Sequence, residues 1–137
     1  MQQLGNDLSS AFGLSGYFGI DFILNGDKPF VVEVNPRYPA SVEVVEYAAH
    51  LNCAVGKAIY FAPHAFRFPQ SGPWDADLDV PFDPWRLPGF ADIPEPEEAM
   101  EAGSPVLTFF ASGSTAASCR EQLQSRAAEL DALLPGT

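Results

Sequence analysis

Gly19-Ile20-Asp21-Phe22-Ile23-Leu24-Asn25-Gly26-Asp27-Lys28-Pro29-Phe30-Val31-Val32-Glu33-Val34-Asn35-Pro36-Arg37 sets regularly spaced polar groups inside otherwise apolar sequence. From Phe18 to Leu24 the residues alternate, so Phe18, Ile20, Phe22 and Leu24 share one face of a strand and Asp21 lies on the other. Phe30 to Val34 reads as an antiparallel partner, with Val32 and Val34 on one face and Glu33 and Asn35 on the other. The intervening Asn25–Pro29 segment is turn chemistry. Pairing Leu24 with Phe30 around a five-residue loop sets Asp21 opposite Glu33, whereas a two-residue Asn25-Gly26 turn sets Asp21 against Phe30. The longer loop is preferred because Pro29 lacks an N–H and fits poorly in a ladder. Two carboxylates facing each other across strands repel unless one is protonated or a cation lies between them. With the Asn35 carbonyl oxygen on the same face, Asp21 and Glu33 make an oxygen set suited to Mg²⁺ or Mn²⁺, ions that also take phosphate oxygens.

The pattern Asp-x(11)-Glu-x-Asn-x-Arg, ending in Glu33-Val34-Asn35-Pro36-Arg37, resembles the metal-binding end of the ATP-grasp superfamily. Its E-x-N-P-R form is most similar to biotin carboxylase and the large chain of carbamoyl-phosphate synthase. D-Alanine–D-alanine ligase keeps a related Asp, Glu and Asn without this arginine. The resemblance implies that Asp21, Glu33 and Asn35 hold Mg²⁺ on the phosphates of ATP. It implies that Arg37 is the catalytic residue, contacting the transferring phosphoryl group or the substrate carboxylate. Tyr38 and Ser41 are implied as outer substrate contacts. The plain alternative is a pair of solvated acids on an open hairpin with Arg37 as a loose salt-bridge partner; the complete spacing favours the metal.

The 137 residues suffice for one domain with a real core. Seven basic against 18 acidic residues give a net charge of −11, which argues against nucleic acid or an anionic membrane as partner. Cys53 and Cys119 are too few for a disulfide framework, so a reducing cytoplasm fits. No apolar run reaches the ~20 residues of a membrane span, and no signal peptide is evident. The resemblance also implies missing parts. The strands that contact adenine, the phosphate-binding lysine and the glycine-rich flap would lie before Met1. There is no phosphate-loop motif, and the only lysines are Lys28 and Lys57. The chain is therefore expected to be a fragment or one piece of a split enzyme, completed in cis or in trans and inactive alone.

Leu4, Leu8 and Phe12 make one face of a helix over Gln2–Phe12 that packs on the hairpin and ends at Gly13. Ser41 caps a second helix running to about Asn52, with Glu43 in its first turn and Val42, Val45, Ala49 and Cys53 on one face. Gly56 is expected to stop the chain before a strand over Lys57–Ala62. Nine of the 13 prolines fall between Pro63 and Pro105, which excludes a regular helix or central strand over most of that span. Phe66, Phe68, Trp74, Phe82, Trp85, Leu87 and Phe90 are too apolar for a linker, so the segment is expected to lie across the globule on its aromatics. Asp75-x-Asp77-x-Asp79 fails as a calcium loop, having Val80 where glycine is needed and Arg86 where glutamate is needed, and reads as a solvated acidic turn. His50 and His64 have no ligand-spaced partners and read as helix-surface and loop residues. A compact β segment over 91–111 contains a strand from Val106 to Ala111, similar to the small β elements that follow the ATP-grasp core. It lacks a lysine that could carry a prosthetic group. Ser118-x-x-Glu121 is a capping box, Thr115 being the other candidate start. The helix stripe is Cys119, Leu123, Ala127, Leu130 and Leu134, and Pro135-Gly136 end it.

These readings give an α+β fold: residues 1–62 as the C-terminal part of an ATP-grasp domain, residues 63–137 as a Pro- and aromatic-rich segment, a small β element and a helix. By resemblance the function is the C-terminal portion of an ATP-dependent ligase, in which a small carboxylate is activated as an acyl phosphate and attacked by an amine or other nucleophile. The alternative is a non-catalytic structural or interaction module derived from that fold.

Overall fold

A computed structural model describes residues 2–81 and 83–134, leaving Phe82 and the Pro135-Gly136 helix stop outside the described residues. The chain divides into two compact units, Met1–Glu43 and Val44–Thr137. The composition break at 62/63 differs from this division, because a strand before it hydrogen-bonds with one far beyond it.

The first unit contains helix α1 (Gln2–Phe12) and strands β1 (Gly19–Asn25) and β2 (Lys28–Asn35). Gly13 adopts φ +64° and the Leu14 N–H donates to the Ser9 carbonyl at 3.0 Å, closing the last helical turn as a left-handed C-terminal cap. The helix bounds are those expected, and Leu4 and Leu8 of its stripe are half-buried, but the packing is shallow. No residue of α1 is buried and Phe12 is 66% exposed. On the hairpin Ile23, Leu24, Phe30 and Val32 are also exposed. A unit of this size has too little interior to cover both a helix stripe and a two-stranded ribbon.

The second unit holds the core. Helix α2 (Val42–Leu51) enters it and ends where Asn52 takes φ +52°. Strand β3 (Ala54–Phe61) pairs antiparallel with β7 (Pro105–Gly113), which pairs on its other edge with β5 (Phe90–Ala91). Between β3 and β5 lie β4 (Phe66–Arg67) and helical turn α3 (Asp75–Leu78), and after β5 comes β6 (Ala99–Met100), the partner of β4. Helix α4 (Ala116–Leu133) covers one face of the sheet.

Alternation assigns the faces. Tyr60 pairs with Leu107 and Phe90 with Phe109, and these side chains join Leu130 and Leu134 of the α4 stripe in one buried cluster. Gly56 does not stop the chain but lies inside β3. A Cβ there would meet Leu123 Cδ1 at 3.0 Å and Cys119 Sγ at 3.1 Å, so the missing side chain is what lets α4 approach the strand. The capping box also lies three residues earlier than Ser118-x-x-Glu121. Thr115 is the N-cap, its hydroxyl accepting from the Ser118 N–H at 3.1 Å while Ser118 Oγ accepts from the Thr115 N–H at 3.2 Å.

The proline-rich segment follows expectation in being irregular and pinned by aromatics. Trp74 is buried between Phe68, at 4.5 Å between ring centroids, and Phe90, edge-on at 6.3 Å. Trp85 differs: it is exposed and stacks on His50 at 4.7 Å instead of entering the core. No helix among the described residues is long and apolar enough to cross a membrane.

Tyr60 is buried, and its hydroxyl donates to Asp131 Oδ1 of α4 at 3.0 Å in a part-buried contact. Burial, the hydrogen bond and the carboxylate charge, in that order, push its pKa up from 10.0 to about 12. The folded chain therefore keeps a proton that the unfolded chain releases above pH 10. This contribution is whole below the unfolded value and is lost as pH rises from 10 to about 12. Urea unfolding of wild type and Tyr60→Phe, compared at neutral pH and within that window, is expected to show the wild type losing stability more steeply. Parallel losses would contradict the assignment.

Candidate functional site

The site is built on the β1–β2 hairpin. The loop is Gly26-Asp27, flanked by the pair Asn25 and Lys28, with positive φ at Gly26 alone (+61°), as a type II′ turn requires. Pro29 is a ladder residue after all, opposite Leu24. In a hairpin closed by two residues, the pair next to the flanking one exchanges no backbone hydrogen bonds, so the missing N–H of Pro29 costs the ladder nothing. The short loop by itself would set Asp21 opposite Val32. A register shift between Asp21 and Phe22 absorbs Val32 as a bulge, and Asp21 faces Glu33. The expected pairing is therefore present, reached by a two-residue turn plus a bulge instead of a five-residue loop.

Asp21 and Glu33 stand opposite each other, and Asn35, two residues beyond Glu33, shares their face opposite Gly19. Side chains so placed have Cβ atoms about 5 Å apart. Asn35 Nδ2 donates to Asp21 Oδ2 at 3.2 Å, which ties the amide to the carboxylate and makes Asn35 Oδ1 the atom that a cation would take. The Arg37 N–H donates to the Asn35 carbonyl at 2.8 Å, turning the chain sharply after the strand. The Arg37 side chain is exposed and makes no ion pair with the two acids among the described residues. Beyond it, the ring of Tyr38 meets that of Tyr17 at 6.2 Å between centroids. Tyr17 went unread in the sequence, although it lies two residues before Gly19 and so at the same end of the strand as Asn35.

Among the described residues no group of three or more His, Cys, Asp or Glu side chains could hold a metal. A cation at the hairpin would thus use two carboxylates and one amide. That donor set is all oxygen and carries two negative charges, which fits a hard divalent ion such as Mg²⁺ or Mn²⁺ and not a soft one.

The other acidic motif is not a solvated turn throughout. The Asp77 side chain is 8% exposed; its Oδ1 pairs with Arg86 Nη2 at 2.8 Å and its Oδ2 accepts from the Phe90 N–H at 2.9 Å. Asp75 Oδ2 accepts from the Gly72 N–H at 3.2 Å. These carboxylates fasten the irregular segment, and Asp77 lines a cleft of about 280 Å³ between Tyr47, Pro81, Arg86 and Ile93. His64 lies in a loop as read, with Nε2 buried and unpaired among the described residues.

Residues 1–41 match the family model described as an ATP-grasp domain, which supports an ATP-grasp superfamily relationship. Over 53 residues the chain is 32% identical to an uncharacterized protein of Methanocaldococcus jannaschii; the match covers 39% of this chain and 14% of that relative. The chain thus spans a small part of that relative's length. No solved structure matches the chain.

The opposed acids carry a stability signature. With divalent ions chelated, Asp21→Asn is expected to stabilise the hairpin by about 0.2–1 kcal/mol through removal of like-charge repulsion. Added Mn²⁺ is expected to reverse that order. Hydrogen exchange at Ile23 and Phe30, the hydrogen-bonded pair between the acids and the turn, reads both conditions. A wild-type hairpin better protected than the variant in chelator would contradict the repulsion.

Proposed function

We propose that the β1–β2 hairpin is the divalent-cation end of an ATP site, and that the chain contributes it to an ATP-dependent ligase of the ATP-grasp type. The observation that carries this reading is the direct opposition of Asp21 and Glu33 with Asn35 on the same face. The family match over residues 1–41 contains all four proposed site residues, Asp21, Glu33, Asn35 and Arg37.

When bound, Mg²⁺ or Mn²⁺ neutralises phosphate charge on ATP and holds its phosphates in one orientation. The chain's residues supply the rest. Asp21 and Glu33 bring two negative charges to the cation, and the bulge at Val32 fixes them face to face. Asn35 adds a neutral oxygen while its amide nitrogen steadies Asp21. Arg37, exposed at the strand end, binds the substrate carboxylate or the transferring phosphoryl group as a charge-assisted donor. In the ligase reaction a carboxylate oxygen attacks the γ-phosphorus and ADP leaves. An amine or other nucleophile then attacks the acyl carbon of the acyl phosphate, releasing inorganic phosphate and a proton. Cys53 and Cys119 are free thiols, which fits a reducing cytoplasm.

A second reading, a non-catalytic module derived from the same fold, draws on the location of the core. The buried aromatic cluster lies in residues 44–137, beyond the matched segment. Activity separates the two. In the complete ligase, Glu33→Gln is expected to lower the rate of ADP formation on the order of 10²-fold or more. An unchanged rate sinks the catalytic reading.

A further inference from the structure

The carboxylate face of the hairpin ends, beyond the proposed oxygen ligands, at the turn that carries Tyr38 and Pro39. Gly19 is opposite Asn35, and a Cβ on Gly19 would stand 3.5 Å from both the Asn35 Cβ and the Pro39 Cβ. Gly19 and Asn35 share the face of Asp21 and Glu33, since each lies two residues from one of them. Pro39 therefore folds back over that face in the space left by the absent side chain. The turn that brings it there carries Tyr38, whose ring contacts Tyr17 at 6.2 Å and 47°. Both rings remain open, Tyr17 at 48% and Tyr38 at 68% exposure. Among the described residues neither hydroxyl has a hydrogen-bond partner. The pair is thus neither core packing nor a polar anchor, and Tyr38 directly follows Arg37 in the chain.

We infer that Tyr38 contacts the ring of an aromatic carboxylic acid, with Tyr17 as the positioning residue that holds the Tyr38 ring; this rests on the cation site proposed above. Arg37, the chain neighbour of Tyr38, takes the acid's carboxylate through its guanidinium. Because Tyr17 and Tyr38 already touch, the substrate ring stacks on the outer side of Tyr38 and not between the two. Neighbouring Cα atoms are about 3.8 Å apart, so a ring joined to its carboxylate by one or two carbons reaches both residues.

The test uses the full chain with two probes, 4-hydroxyphenylacetate and its non-aromatic counterpart cyclohexylacetate, followed by saturation-transfer NMR. The aromatic acid is expected to bind more tightly than the cyclohexyl acid, up to about tenfold. Tyr38→Ala is expected to erase that difference and Tyr38→Phe to keep it. Tyr17→Ala is expected to weaken it and Tyr17→Phe to restore it. Mn²⁺ is expected to broaden the ring protons of the bound probe in the wild type but not in Asp21→Asn/Glu33→Gln, which still binds the probe. Saturation transfer without Mn²⁺ broadening in the wild type would overturn the cation site and leave the ring site standing. Equal binding of the two acids, or undiminished aromatic binding by Tyr38→Ala, would overturn the inference itself.

Discussion

Like charges held directly across a β-ladder raise the energy of the ribbon, and on a two-stranded hairpin little else compensates for it. Asp21 and Glu33 are in this position, and the backbone goes out of its way to put them there. A two-residue turn alone would have set Val32 against Asp21, and the bulge that absorbs Val32 restores the acidic pair. A divalent cation bound there, as proposed, would convert the repulsion into two favourable contacts. Asn35, tied to Asp21, supplies a third oxygen without adding charge. On the proposed reading the arrangement is costly without the ion and stable with it.

The second unit is built on a different constraint, the close approach of α4 to β3 and β7. Gly56 supplies the space, and Cys119, with its thiol donating to the Ala111 carbonyl at 3.3 Å, fills it. From there the core extends through Phe90 to Trp74 and Phe68, so the proline-rich segment is held by ring contacts where it cannot form ladders. Arg126 of α4 reinforces this tie, donating to the Gly89 carbonyl at 2.9 Å while its guanidinium lies 5.5 Å from the Phe90 ring.

Much of this was legible from residue order. The alternation around Asp21 and Glu33 announced two strands and their facing acids, and the i, i+4 spacing announced α1 and α4. What escaped the sequence depended on distant partners or on local backbone options. Gly56 looked like a terminator because nothing nearby in sequence shows that α4 leans on it. Asp77 looked solvated because Arg86 and the Phe90 N–H reach it only after the segment folds back. Pro29 argued for a long loop because its ladder position depends on which pairs exchange hydrogen bonds, a property of the closed turn. Tyr17 gave no signal until the turn after Arg37 brought Tyr38 against it. At the site itself, the proposed ligands were readable because they alternate along two adjacent strands, whereas the Tyr17–Tyr38 contact was not.

The central claim is that Asp21, Glu33 and Asn35 exist to hold a hard divalent ion. Calorimetric titration of the purified chain with Mn²⁺, set beside Asp21→Asn/Glu33→Gln, addresses it most directly. The account predicts saturable Mn²⁺ binding in the wild type that disappears in the double variant. No binding by the wild type, or binding that survives loss of both carboxylates, would contradict it.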